Sequence, residues 1–92
     1  MYFRLTRGRF DPARYDAIMP LVPAVTAALR GLPGVQDVRV GIDRATGRTL
    51  SLTSFETLED AQFSRDRLRS VLQPLQELGW EPEAPEIYEA TE

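Results

Sequence analysis

The spacing of apolar residues changes four times along this sequence, and the order of those changes limits the folds open to it. Residues 2–7 alternate, with Phe3 and Leu5 against Tyr2, Arg4 and Thr6, the period of a strand with one face buried. Tyr15, Ile18, Met19, Val22, Val25 and Leu29 then recur every three or four residues, the stripe of a helix laid on a sheet. Val38, Val40 and Ile42 restore period two. After the turn Asp43-Arg44-Ala45-Thr46-Gly47, Leu50 and Leu52 continue it, so two strands form a hairpin. Ala61, Ser64, Leu68, Val71, Leu72, Leu75 and Leu78 make a second helical stripe, and residues 86–90 form a short last strand. The order is β-α-β-β-α-β, which predicts one α+β domain over residues 1–92, a four-stranded antiparallel sheet with both helices on one face.

Local signals mark the ends. Asp11-Pro12 reads as an N-cap with proline in the first helical position, while Pro20 and Pro23 predict a kink or restart near Met19. Gly31 and Leu32-Pro33-Gly34 end the first helix. Thr57-Leu58-Glu59-Asp60 resembles a capping box with Asp in place of Glu, and Gly79 stops the second helix. Alternation assigns Phe3, Leu5, Val38, Val40, Ile42, Leu50, Leu52 and Ile87 to the sheet face under the helices. Tyr2, Arg4, Thr6, Arg39, Ser51, Thr53, Phe55 and Tyr88 fall on the open face, a mixture of aromatics, arginine and hydroxyls that suits a wet protein-protein interface. A homodimer through that open face follows, burying roughly 1,200 to 2,000 Å² in total.

Composition narrows the chemistry. All eleven basic residues are arginine, and lysine, histidine, cysteine and asparagine do not occur. That removes Ser-His-Asp and Cys-His nucleophile systems, lysine Schiff bases, the usual zinc ligands and the usual haem ligands, so neither a metal nor a cofactor is expected. A net charge of −3 argues against nucleic acid, and the third strand, Arg48 to Phe55, carries a single aromatic where an RNA-binding sheet interleaves several. Arg4, Arg7, Arg9 and Arg14 load the beginning of the chain and Glu77, Glu81, Glu83, Glu86, Glu89 and Glu92 its end. Pairing of the terminal strands, with Arg4 or Arg7 near Glu86 or Glu89, neutralises both. There is no apolar run of membrane-spanning length and no signal-peptide pattern at the start, so a cytoplasmic location and no membrane partner are expected.

Leu32-Pro33-Gly34-Val35 before strand two, Asp43-Arg44-Ala45-Thr46-Gly47-Arg48 in the hairpin, and Phe55-Glu56-Thr57 entering helix two give the chain its likeness. Together with the order of elements, they resemble the dimeric ferredoxin-like α+β barrel proteins, and among these the antibiotic biosynthesis monooxygenase-like group. In that group an aromatic residue commonly closes strand three and a histidine often follows on the next helix. Here Phe55 fills the first position, and Ser64 or Phe63 stands at the second, a departure from the haem-degrading members. The quinone-forming members oxidise aromatic substrates with O2 and no bound cofactor. The resemblance therefore implies a homodimer that binds a small apolar or aromatic molecule, acting as a cofactor-independent monooxygenase on an aromatic or polyketide-like substrate. A non-catalytic ligand-sensing or interaction module of the same fold is the alternative.

A ligand cleft in such a fold lies between helices and sheet. Tyr15, Met19, Phe55, Phe63 and Trp80 are the large side chains placed to reach it, although all five also suit a core, and Phe63 a dimer contact. Arg4 and Arg39 suit either an anionic ligand or a carboxylate on a neighbouring strand. The acidic pairs Glu59-Asp60 and Glu81 with Glu83 read as solvated caps and loops.

Overall fold

The computed structural model describes every residue from Met1 to Glu92. β1 (Tyr2–Arg9) runs into Phe10, whose ring is buried and whose backbone N–H donates to the carbonyl of Gly47 at 2.9 Å. Asp11 accepts from the Ala13 N–H and opens a 3-10 turn at Pro12–Arg14, which passes into α1 (Tyr15–Ile18). A second 3-10 turn over Met19–Leu21 then leads into α2 (Val22–Arg30), with Pro23 in the first turn, where the missing amide has no intrahelical acceptor to lose. The two prolines thus produce the predicted restart at Met19. Gly31 caps α2, and β2 (Val35–Asp43) and β3 (Arg48–Phe55) form the hairpin. Gly47 holds a φ of +77°, and a Cβ there would sit 1.9 Å from the Phe10 carbonyl oxygen, so the turn requires glycine on two counts.

The second helical stripe is not continuous. Thr57 caps α3 (Leu58–Ala61) by accepting from the Asp60 N–H at 3.1 Å, but the chain leaves the helix at Gln62. Ser64, expected on the buried face, is instead an exposed cap that accepts from the Asp66 N–H and starts a 3-10 turn at Arg65–Leu68, followed by α4 (Arg69–Glu77). Serine competes for backbone donors in this way, and a helical stripe read from apolar spacing does not register it. Leu68, Leu72 and Leu75 keep the stripe's burial across the break. At its end Gly79 takes a φ of +94°, its N–H donating to the Gln76 carbonyl and that of Trp80 to the Leu75 carbonyl, each at 3.0 Å. This glycine cap turns Trp80 back toward the sheet.

β4 (Glu81–Pro82) and β5 (Glu86–Glu89) both pair with β1, giving an antiparallel order of β2-β3-β1 with β4 and β5 sharing the far edge. The fourth strand position is thus split in two around Pro82 and Pro85, making five strands where four were expected. The termini pair as predicted, and Arg7 forms an ion pair with Glu86. The architecture is the expected α+β, β-α-β-β-α-β arrangement, with the helices on one face. No helix is long and apolar enough to cross a membrane.

The faces of β1 and β3 are reversed from those read by alternation. Val38 lies directly opposite Thr53, and Thr53 opposite Arg4, so these three side chains share a face. That face is the covered one, because Arg4 reaches the backbone of the Ala61–Phe63 segment. Tyr2, Arg4, Thr6, Ser51, Thr53 and Phe55, expected on the open face, therefore lie on the helix side, while Phe3, Leu5, Leu50 and Leu52 lie on the open side. Val38, Val40, Ile42 and Ile87 face the helices and Arg39 and Tyr88 the open side, as expected. An apolar strand face indicates that something covers it, not that the covering is this chain's own helices. Conversely, Thr6, Thr49 and Ser51 are tolerated beneath the helices because the space above them is only partly filled, and Arg4 because backbone carbonyls and the Phe63 ring hold it.

The core is small. Phe10, Ile18, Leu29, Val38, Leu68, Leu72 and Leu75 form one cluster. Only 14 of 92 residues are buried, and the accessible surface is 5888 Å², above the roughly 5,400 Å² usual for a monomer of this mass. The excess is consistent with the apolar open face, where Leu50 is 40% and Tyr88 52% exposed.

Candidate ligand cleft

Over the middle of β1 and β3 the helices stand clear of the sheet. The floor is built from Arg4, Thr6, Thr49, Ser51 and Thr53, and the walls from Ile18, Val22, Val25 and Leu29 on one side and Leu68, Leu72 and Leu75 on the other. Short hydroxyl side chains leave unfilled the volume that leucine or phenylalanine would occupy in a packed sheet-helix interface. About 80 Å³ of the resulting cleft is free for groups the size of a water molecule, and about 800 Å³ if the gaps between atoms and the open mouth are counted. Apolar walls with a few polar groups beneath them are the usual make-up of a small-molecule site.

Trp80 closes one end. Its indole N–H donates to Thr49 Oγ1 at 3.0 Å, and the ring lies over Gly8, where a Cβ would come within 2.6 Å of Nε1. Gly8→Val is expected to push the indole off the sheet, with a shift in the emission of this single tryptophan and a stability cost of about 1 to 3 kcal/mol. An unchanged emission maximum would contradict this packing.

Arg4 is the unusual member of the floor. It is only 7% exposed, and it has no carboxylate partner among the ion pairs of the chain. One Nη donates to the carbonyls of Ala61 at 3.0 Å and Phe63 at 2.9 Å, satisfying the backbone where α3 ends. The guanidinium stacks 3.9 Å from the centroid of the Phe63 ring, which in turn packs on Phe55 with centroids 5.7 Å apart. Burial first, and repulsion from Arg65 second, hold the Arg4 pKa below the usual arginine value. Arg65 also lines the cleft, anchored by a hydrogen bond to the Glu83 carbonyl, and no Asp or Glu does. Two further groups have shifted pKa values, and both lie outside the cleft. Asp43 is lowered, chiefly by its hydrogen bond with Thr46 and then by Arg48, and Tyr88 is raised by its hydrogen bond with Glu86. No group of three or more His, Cys, Asp or Glu side chains is gathered so as to hold a metal ion.

Of the five aromatic and methionine side chains singled out in the sequence, Phe63 and Trp80 line the cleft. Phe55 is completely buried behind Phe63. Tyr15 packs at the edge of the core with the Arg44 guanidinium 4.4 Å from its ring centroid, and Met19 is half-buried in the 3-10 turn between α1 and α2. Sequence reasoning did not single out Arg65 or the hydroxyl row Thr6, Thr49, Ser51 and Thr53. The signal was present, since four short polar side chains recur at alternate positions of two central strands, but that pattern equally describes a face in water.

No family model and no curated protein matches the chain. Solved structures do. A candidate antibiotic biosynthesis monooxygenase from Deinococcus radiodurans superposes with a TM-score of 0.78 at 17% identity, covering 100% of this chain and 94% of that one. The chain has the ferredoxin-like fold of the antibiotic biosynthesis monooxygenases. A second such protein, from Nitrosomonas europaea, matches over the full length of both chains with a TM-score of 0.80 and 12% identity. SnoaB, a cofactor-independent oxygenase from Streptomyces nogalater, matches with a TM-score of 0.69 and 13% identity over 99% of this chain and 93% of its own. At such identities the antibiotic biosynthesis monooxygenase likeness is one of fold.

Proposed function

We propose that this protein binds a small, largely apolar or aromatic molecule in the helix-sheet cleft, works as a homodimer joined through its open sheet face, and oxidises its ligand with O2 without a bound cofactor. The cleft carries the reading, because apolar walls above a hydroxyl floor, with about 80 Å³ of free space opening to solvent, suit a small ring or the end of a larger molecule. The apolar residues of the open face, Phe3, Leu5, Leu50 and Leu52, support the dimer, since apolar side chains left partly or wholly exposed side by side on a sheet face mark an interface. The oxygenase fold of SnoaB supports the reaction class by analogy. In that reaction an activated CH2 of the substrate becomes a carbonyl, one oxygen atom of O2 enters the product and the other leaves as water. The cleft lacks a carboxylate or imidazole to act as base, so the reading requires a substrate with an acidic C–H or O–H of its own.

That same lack favours a second reading, a non-catalytic sensor that binds the same class of molecule. Oxygen uptake measured with anthrone-type and phenolic compounds separates the two. One O2 consumed per carbonyl formed supports the oxygenase. Binding seen by calorimetry without oxygen uptake supports the sensor, and no binding of any aromatic compound sinks both.

A further inference from the structure

Resting on the reading of the cleft as a ligand site, we propose that Arg4 is its specificity-determining residue and that the ligand is an apolar ring system bearing a carboxylate, which pairs with the unoccupied edge of the Arg4 guanidinium. The starting point is an imbalance of charge. An arginine that is only 7% exposed ordinarily has an acidic partner, because a partner restores the interactions an ion loses as it is drawn out of water. Arg4 has none, and Arg65 brings a second positive charge to the same cleft.

The hydrogen bonds of Arg4 show which part of it is available. Both backbone carbonyls are taken by one Nη. Nε and the other Nη donate to no atom of the chain, and neither is sealed off, since no polar side-chain atom lacking a partner is fully enclosed in this structure. Those two nitrogens form the side-on fork of arginine, whose spacing matches the two oxygens of a carboxylate. The stack on Phe63 and the two carbonyls fix the plane of the guanidinium beforehand, so little side-chain freedom remains to be lost on binding. The apolar walls meanwhile select a hydrophobic body for the remainder of the ligand.

Calorimetric titration with 2-naphthoate and with 2-naphthylmethanol, its uncharged counterpart, tests the proposal. Naphthoate is expected to bind about tenfold or more tightly than the alcohol. Arg4→Met is expected to abolish the preference. Because that variant also loses the cap on α3 and could unfold, Arg4→Lys, which keeps the charge but not the fork, is measured beside it, and Arg65→Gln serves as a milder change expected to reduce the preference without removing it. Equal affinity of the native chain for the two probes overturns the role of Arg4 and leaves the cleft reading intact. Binding of neither overturns both. A preference undiminished in a folded Arg4 variant would show that the carboxylate lies elsewhere.

Discussion

Leu52→Asp is expected to turn a particle of two 10.4 kDa chains into one of a single chain at micromolar concentration, with the far-UV spectrum unchanged. Leu52 stands in the middle of the open face, its neighbours across the strands being Leu5 on β1 and Arg39 on β2. In the proposed dimer the substitution brings a carboxylate into the centre of the contact, and the twofold axis repeats it. Arg39 already pairs with Asp37 and compensates the new carboxylate only in part, so its burial still costs a few kcal/mol and the dissociation constant rises by at least about 10-fold. The isolated chain loses little, since no helix covers this position. Multi-angle light scattering reads the result. A single-chain mass for the parent protein refutes the dimer outright, and a two-chain mass for Leu52→Asp moves the interface elsewhere.

Phe55→Ala, three positions along the same strand and on its other face, has the opposite expected profile. It should remove about 3 to 5 kcal/mol of folding stability. Phe55 has no exposed surface, and its loss leaves a cavity beneath Phe63 and withdraws the ring that supports the Arg4 stack. A domain of this size has only about 5 to 15 kcal/mol to lose, and the midpoint of thermal unfolding should fall by roughly 12 °C or more. The two variants together test the reversed faces of β3. Had Phe55 been on the open side and Leu52 under the helices, Leu52→Asp would unfold the chain and Phe55→Ala would mainly weaken assembly. Thermal unfolding followed by circular dichroism distinguishes these patterns, and a Phe55→Ala protein as stable as its parent contradicts the packing.

The order of elements was written in the sequence because each depends on residues close together in the chain. Asp11 with Pro12, the restart at Met19, the Gly47 turn, the Thr57 cap and the Gly79 stop are local devices whose hydrogen bonds and dihedral limits operate over four or five residues. The pairing of β1 with β5, and the Arg7–Glu86 ion pair with it, followed from charge at the two ends and the order of strands. Which side of β1 and β3 faces the helices was not written there. Period two fixes that alternate residues part company but not which set meets the helices, and here the usual inference, apolar inward, fails because the more apolar set has no covering within its own chain. The break at Gln62–Ser64 was likewise hidden, since a capping serine and an interior serine look alike in a helical stripe. The cleft depended on both. Only the tertiary structure brings Arg4 from the first strand against the Ala61 and Phe63 carbonyls, sets short hydroxyls where bulk was expected, and leaves a buried guanidinium without an acid beside it. Those relations join residues nearly sixty positions apart, and no spacing along the chain encodes them.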